Sequence, residues 1–115
     1  MIAIQNIQKD DILFRRIIHY FVKPDGRISS AAYMDKQKKP DPRPSVDLAR
    51  LTTPAKSLSN YPGMRLGQVC ADVPMRIGLR VEHRPEADND AHCEILGHHT
   101  KETCRLLAEE TSIVL

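Results

Sequence analysis

The sequence predicts one small α+β domain that spans all 115 residues, with a mostly antiparallel sheet, a short middle helix and a C-terminal helix. Two patterns predict this class. Over residues 75–82 apolar and polar side chains alternate with a period of two, which is typical of a strand with one buried face. Near the C-terminus Cys104, Leu107, Ala108 and Thr111 follow the spacing of a helix with one apolar side. A chain of this length forms one domain of ordinary size.

The first part of the chain predicts a hairpin and then an exposed loop. Residues 11–34 are rich in β-branched and aromatic types, and Lys-Pro-Asp-Gly at 23–26 is a turn signal, so 28–34 is expected to be the returning strand. A helix over 9–21 is the alternative, because its apolar residues could also share one helical face. Residues 35–45 are rich in proline and basic side chains, which predicts a loop exposed to solvent.

Helix-capping and helix-breaking residues predict where the remaining helices and strands begin and end. Residues 45–51 predict a short strand or a single turn, and Thr53-Pro54 is a helix start that extends to about Asn60. Thr100 is expected to cap the last helix, which ends before a tail at 112–115 that either finishes the helix or forms a closing strand. The further predicted strands cover residues 64–73, 75–82 and 91–96.

Charge and cysteine content narrow the class of protein. Residues 1–57 carry 11 basic and 6 acidic side chains (+5), whereas residues 58–115 carry 6 and 9 (−3), so the first half is suited to an acidic partner surface. The three cysteines are an odd number without a CxxC pair, which favours free thiols and a cytoplasmic protein. No apolar run is long enough for a bilayer and no signal-peptide pattern begins the chain, so we expect no membrane association.

The segment from residue 83 to 104 holds four of the five histidines and two of the three cysteines. No metal or cofactor is expected, because adjacent ligands on a strand point to opposite faces and the spacing fits no known zinc pattern. If a metal were bound, its candidate ligands would be His83, His92, His98 and Cys104. If the protein were an enzyme, the candidates would be a ribonuclease pair, His92 with His98 or His99, assisted by Arg50 or Arg80. Since the spacing enforces no contact between these residues, catalysis is the less favoured interpretation.

Binding is the favoured interpretation. The basic side chains that could contact an acidic protein surface or the phosphates of a nucleic acid are Arg15, Arg16, Lys36, Lys38, Lys39, Arg43 and Arg50. Residues 1–8 form an apolar segment without an obvious partner strand, and are expected to be either flexible or bound to a partner protein. A nucleic-acid surface is the alternative, although the sequence contains no recognised RNA- or DNA-binding signature.

Three stretches together resemble a loose group of short, uncharacterised bacterial proteins. They are ISSAAYMD at 28–35, PSVDLARLTTP at 44–54 and DNDAHCEILG at 88–97, where the group has Asn-Pro-Ala-His in place of Asn-Asp-Ala-His. The resemblance implies a bacterial origin, but it indicates no particular activity for this chain. It directs attention to Ser29, Ser30, Asp47, Arg50 and His92, which could form a pocket with Arg50 holding an anion, or could be structural hydrogen-bonding groups. The structural interpretation is favoured.

These observations predict a small cytoplasmic bacterial protein that acts as an adaptor through protein contacts, within a defence or toxin-related complex. A nucleic-acid binder or a histidine-based ribonuclease is the alternative. The oligomeric state and the partner's identity are not encoded in any pattern of the sequence.

Overall fold

The structure, a computed structural model, describes residues 2–115 and contains one six-stranded antiparallel sheet with three helices. The strand order is β4-β5-β2-β1-β3-β6. The predicted α+β fold is therefore confirmed. The strands are β1 Ile12–Ile18, β2 Ser45–Leu48, β3 Met64–Cys70, β4 Arg80–His83, β5 His92–Leu96 and β6 Ser112–Ile113. The helices are α1 Pro54–Leu58, α2 Asp72–Arg76 and α3 Lys101–Glu109, and single 3-10 turns cover His19–Phe21, Ser30–Tyr33 and Ala49–Leu51.

The two faces of the sheet differ in chemistry. Leu13 and Ile17 of β1 lie on one face, which we call the core face, in the same buried cluster as Leu107 of α3. Residues directly opposite in antiparallel strands share a face. Phe14 is paired with Asp47 of β2, so this pair lies on the opposite face, which we call the polar face. The long-range pairing of β1 with both β2 and β3 thus brings a carboxylate to the middle of the sheet.

The segment from residue 9 to 22 contains the strand β1 at Ile12–Ile18, followed by the 3-10 turn His19–Phe21, and no α-helix. β1 pairs with β3 along its whole length, from Ile12 opposite Cys70 to Ile18 opposite Met64. The turn at 23–26 is also present, because Gly26 donates its N–H to the Lys23 carbonyl at 2.9 Å. Alternation between the two faces of a sheet accounts for the apolar pattern of this segment better than a helical stripe.

The prediction of a second hairpin strand over 28–34 is correct only at its start, where Ile28 forms a single antiparallel bridge with Val22; the residues after it do not continue as a strand. The Ser29 hydroxyl accepts a hydrogen bond from the Ala31 N–H and caps the 3-10 turn Ser30–Tyr33. This turn puts the Tyr33 ring, which is fully buried, under α3. The Tyr33 hydroxyl bonds to Thr111 Oγ1 at 2.7 Å, and burial raises the pKa of that phenol. Capping and the burial of one large ring therefore outweigh the strand propensity of the segment.

The strand expected over 75–82 is only partly correct. Helix α2 occupies 72–76, and the strand begins at Arg80. Pro74 is the third residue of α2, where its missing N–H breaks no helical hydrogen bond. Gly78 has φ +89 and turns the chain into β4. The alternation of apolar and polar residues over 75–82 therefore spans the end of α2, the turn at Gly78 and the strand β4. Alternate side chains are at least partly buried in all three, so the pattern looks like that of one continuous strand.

The capping predictions for the other two helices are confirmed. The Thr53 hydroxyl accepts from the Lys56 N–H ahead of α1, which ends at Leu58, two residues before the predicted end. Thr100 and Thr103 form a reciprocal capping box at the start of α3. The apolar stripe of α3 is buried as expected, and the tail after it forms the closing strand β6.

The N-terminal segment and the basic loop both lie at the surface. Residues 2–8 contain no helix or strand, but Ile7 is buried and the Arg50 guanidinium donates to Gln5 Oε1 and to the Asn6 carbonyl. Within 35–45 the Asp35 carboxylate accepts from two backbone N–H groups of the loop, which is otherwise largely exposed. Across residues 2–115, every helix is too short or too polar to cross a membrane.

Candidate functional site around Asp47

Asp47 is the centre of a hydrogen-bond network on the polar face. Its side chain is only 1% exposed. Oδ2 accepts from Arg16 Nη1 and from Ser57 Oγ, both at 2.7 Å, and Oδ1 accepts from Asn89 Nδ2 at 2.9 Å. A buried carboxylate is tolerated only when charge and hydrogen bonds compensate its lost hydration. The network therefore fixes β1, β2, α1 and the loop before β5 to one another.

Arg16 is held in one orientation by two different contacts. Its Nη1 donates to Asp47 and, at 3.2 Å, to the Ser57 carbonyl. The flat face of the guanidinium lies over the Tyr61 ring, with the central carbon 4.2 Å from the ring centroid. No acceptor within residues 2–115 pairs with Arg16 Nε or Nη2. The arginine thus keeps one edge of its guanidinium available.

Arg15, the neighbouring residue, is used to build the fold. Its Nε and Nη2 donate to the Ala32 carbonyl at 3.0 and 2.7 Å, and its Nη1 donates to the Ser45 carbonyl at 2.8 Å. Burial lowers the pKa of Arg15, although a guanidinium stays protonated at any physiological pH. Arg15 therefore ties β1 to β2 and to the 3-10 turn that carries Tyr33.

His92 contacts Ser45 beside this network. His92 Nδ1 lies 2.8 Å from the Arg84 carbonyl and must carry the proton, so Nε2 accepts from Ser45 Oγ at 3.2 Å. A serine next to an imidazole is the first element of a nucleophilic site. Here the group behind the imidazole is an uncharged carbonyl, which holds the ring but does not stabilise an imidazolium as a carboxylate would. The contact is therefore best explained as a structural hydrogen bond.

The structure does not bring the predicted catalytic histidines together. The strand alone separates His92 from Leu96 by about 13 Å. His98, which is exposed, and His99, which bonds to the Ile95 carbonyl at 2.8 Å, lie beyond or beside its far end. Neither histidine forms a hydrogen bond with His92 in the described part of the chain.

The two arginines considered for catalysis are engaged elsewhere. Arg80 donates to Glu82 at 2.9 Å, and this bond, with another from Arg84, lowers the pKa of Glu82. Arg50 uses Nε for Asp11 at 2.9 Å and its two terminal nitrogens for the N-terminal segment. Arg50 accordingly has little capacity left to hold an anion.

The candidate metal ligands are likewise dispersed. His83 accepts from the Gln5 N–H through Nδ1 and bonds to the Asp90 carbonyl through Nε2. Cys104 is a buried residue of α3; its S–H donates to the Tyr33 carbonyl, and burial raises the pKa of the thiol. Over residues 2–115, no three His, Cys, Asp or Glu side chains are grouped so that they could hold a metal ion.

The predicted binding cations divide into two sets. Arg15, Arg16 and Arg50 serve internal contacts, as described above. Arg43 is exposed and 3.7 Å from Glu94. The lysines of the basic loop, Lys36, Lys38 and Lys39, are exposed, and within the described chain none has a carboxylate within ion-pair distance. Among the predicted binding cations of the described residues, these three lysines can therefore contact an external partner without breaking an internal contact.

Comparison with protein-family models, with curated proteins and with solved structures finds no match for this chain. The residues themselves must carry any functional conclusion.

Sequence reasoning missed three members of the network. Ser57, Asn89 and Tyr61 were not singled out, because no local pattern links them to an aspartate 10 to 42 residues away. The available signal was Asp47 itself, a charged residue between the apolar Val46 and Leu48 of a predicted strand. Such a residue requires a buried counter-charge or hydrogen-bond donors, but the sequence does not indicate which residues supply them.

Proposed function

We propose that the protein acts through contacts with another protein, and that an extended segment of the partner docks at β4. The proposal rests on apolar side chains at the end of an unpaired strand edge. Ile2, Ile4, Pro85 and Ala87 line a half-open cleft of about 630 Å³ next to His83, the last residue of β4. The Ile4 side chain is 68% exposed. A cluster of this kind is a common feature of protein-contact sites.

The edge of β4 supplies the second half of this surface. β4 pairs with β5 on one side, and no strand among residues 2–115 pairs with its other side. Unpaired backbone N–H and C=O groups there are suited to a strand added from another chain. The N-terminal segment passes beside the end of β4, since the Gln5 N–H donates to His83 Nδ1 at an N···N distance of 2.8 Å. A partner segment that pairs with β4 would therefore place a side chain of its own, aliphatic or aromatic, in the cleft.

The internal bonding of the buried polar residues supports binding over catalysis. Asp47, His83 and His92 each have all their bonding atoms engaged by other groups of the chain. Three free cysteines agree with a cytoplasmic location, and the resemblance of the three sequence stretches agrees with a bacterial origin. The expected setting is a defence or toxin-related complex. These settings belong to the proposal.

The test compares two exposed side chains of equal exposure. Ile4→Asp puts a charge in the cleft, whereas Tyr20→Asp changes a side chain that is also 68% exposed but lies next to β1. Tagged wild type and both variants are expressed in the native cells, and co-purified proteins are quantified. Burial of one isoleucine contributes about 1.5–3 kcal/mol, so Ile4→Asp should weaken partner capture at least about tenfold. Tyr20→Asp should capture the same partner as wild type.

Equal capture by wild type and Ile4→Asp would contradict the proposal, as would equal loss in both variants. Melting temperatures provide the folding control. Removal of the whole segment before Lys9 is a poorer experiment, because it also deletes the buried Ile7 and two acceptors of Arg50.

A nucleic-acid binder is the second candidate, and the lysines of the basic loop favour it. The basic loop has three lysines within four residues, and none of them has an acidic partner: Lys36, Lys38 and Lys39. Closely spaced cations of this kind can neutralise the phosphates of a nucleic acid. Binding of labelled single-stranded RNA and duplex DNA should then fall steeply with salt. Lys38→Glu with Lys39→Glu should abolish it, whereas the same charge change at Lys9 and Lys23 should weaken it little. Equal effects of the two double variants would reject a site at this loop.

A further inference from the structure

The strands β1 and β2 separate at the point where the two arginines follow Phe14. Their registered pairing is Leu13 with Leu48 and Phe14 with Asp47. After this point, Arg15 bridges the gap by donating to the Ser45 carbonyl. A cavity of about 320 Å³ lies here, which we call the arginine cavity. Its walls include Arg15, Arg16, Ser45, Phe21, Met34 and Met64.

The wall of the arginine cavity combines apolar side chains with the two arginines. Apolar side chains, Phe21, Met34 and Met64 among them, form much of its wall, and no acidic residue lines it. The neighbouring cavity of about 310 Å³, on the other side of Arg16 and Tyr61, is polar and lined by four carboxylates, including Asp47. An anion is therefore repelled from the second cavity and attracted to the first.

Arg16 supplies the recognition group. Asp47 and the Ser57 carbonyl occupy Nη1 only, and the Tyr61 ring covers one face. Nε–H and the adjacent N–H of Nη2 point in parallel from the opposite edge of a guanidinium, which is the fork that binds a carboxylate through both oxygens. The side chain is only 14% exposed, yet neither nitrogen is sealed from solvent within the described chain. The two nitrogens have no acceptor among residues 2–115, so they are free to donate to water or to a ligand.

We propose that the arginine cavity binds a small organic carboxylate with an apolar body, and that the Nε–Nη2 edge of Arg16 holds the carboxylate. The apolar walls take the body of the ligand, and Arg15 adds a second positive charge that is itself fixed by backbone carbonyls. Ser45 can donate no further, because its hydroxyl proton is directed to His92. This site is independent of the β4 surface, so one proposal can fail while the other holds.

The probes are benzoate and hexanoate, with benzamide as the neutral analogue of similar shape. Titration into nitrogen-15-labelled wild type should shift the Arg16 Nε–H resonance and raise the melting temperature, with a dissociation constant of about 1 mM or below. Benzamide should do neither. Arg16→Lys keeps a positive charge for Asp47 but removes the fork, so it should fold and bind benzoate at least about tenfold more weakly.

Arg50→Lys is the matched control, because Arg50 also pairs with a carboxylate, that of Asp11, but lies outside the cavity. It should bind benzoate as wild type does. The proposal is overturned if neither carboxylate binds folded wild type, if benzamide binds equally well, or if Arg16→Lys retains full affinity. Binding of phenyl phosphate without binding of either carboxylate would also overturn it.

Discussion

Replacement of Asp47 by alanine is the sharpest test of the network on the polar face. The change removes a carboxylate that is 1% exposed and that accepts from Arg16, Ser57 and Asn89. It leaves the Arg16 charge without its counter-ion in a site where the side chain is 14% exposed. Two neutral donors, Ser57 Oγ and Asn89 Nδ2, also lose their acceptor, although the Asn89 side-chain Oδ1 still accepts from the Ala91 N–H.

The magnitude follows from these contacts. Removing one member of a buried ion pair costs about 3–5 kcal/mol. The partial exposure of Arg16 allows some rehydration and favours the lower half of that range, whereas the loss of an acceptor by Ser57 adds about 1 kcal/mol. We therefore expect Asp47→Ala to lower the free energy of unfolding by about 4 kcal/mol. A domain of ordinary stability would remain folded but much closer to its limit.

Urea denaturation followed by circular dichroism measures the effect. Asp25→Ala is the matched control, because Asp25 also pairs with an arginine, Arg27, but both side chains are exposed, and its denaturation midpoint should stay close to wild type. Combining Asp47→Ala with Arg16→Met should cost less than the sum of the single variants, since it removes the unpaired charge. A loss below about 1 kcal/mol for Asp47→Ala would refute the reasoning.

Three further predictions concern thiols and one glycine. Burial raises the pKa of the Cys93 thiol to about 12 from its ordinary value of 9. Between these two pH values the folded state keeps a proton that the unfolded chain releases, so the free energy of unfolding falls as the pH rises from 9 towards 12. In urea melts, Cys93→Ala should make this decrease with pH smaller. Cys70 is the one cysteine that is not buried, so the folded protein should react with one equivalent of Ellman's reagent and Cys70→Ser with none. Gly97 has φ +131, and an added Cβ would lie 2.9 Å from Leu79 Cδ2, so Gly97→Ala should lower the free energy of unfolding by about 1–3 kcal/mol. Gly26→Ala, at φ +87 in open space, should cost less, and equal losses would argue against the clash.

Local chemistry made several elements predictable from the sequence. The caps at Thr53 and Thr100 are encoded within three residues of each helix start, and both are formed. The apolar side of α3 is also visible in the sequence, because its residues recur at helical spacing and the helix needs only one apolar surface of a sheet to pack against. The class of the fold follows from such short-range signals.

Elements that depend on distant partners were not predictable. The segment 28–34 has strand-like composition, but Tyr33 finds its hydroxyl partner at Thr111, 78 residues away, and the chain turns to reach it. The same holds for the candidate site, where Arg16 meets Asp47 across 31 residues. Spacing in the sequence carries no information on such contacts until the strand order is known. The histidine cluster shows the converse, since residues close in sequence are distributed over β4, β5, the loop after β5 and α3.

Hydrogen–deuterium exchange of the protein with its captured partner bound tests the proposed β4 surface most directly. The amides of Arg80–His83 that do not bond to β5 should exchange quickly in the free protein and slowly in the complex, together with those around Ile4. Protection confined to the basic loop at 35–45, with β4 unchanged, would contradict docking at β4.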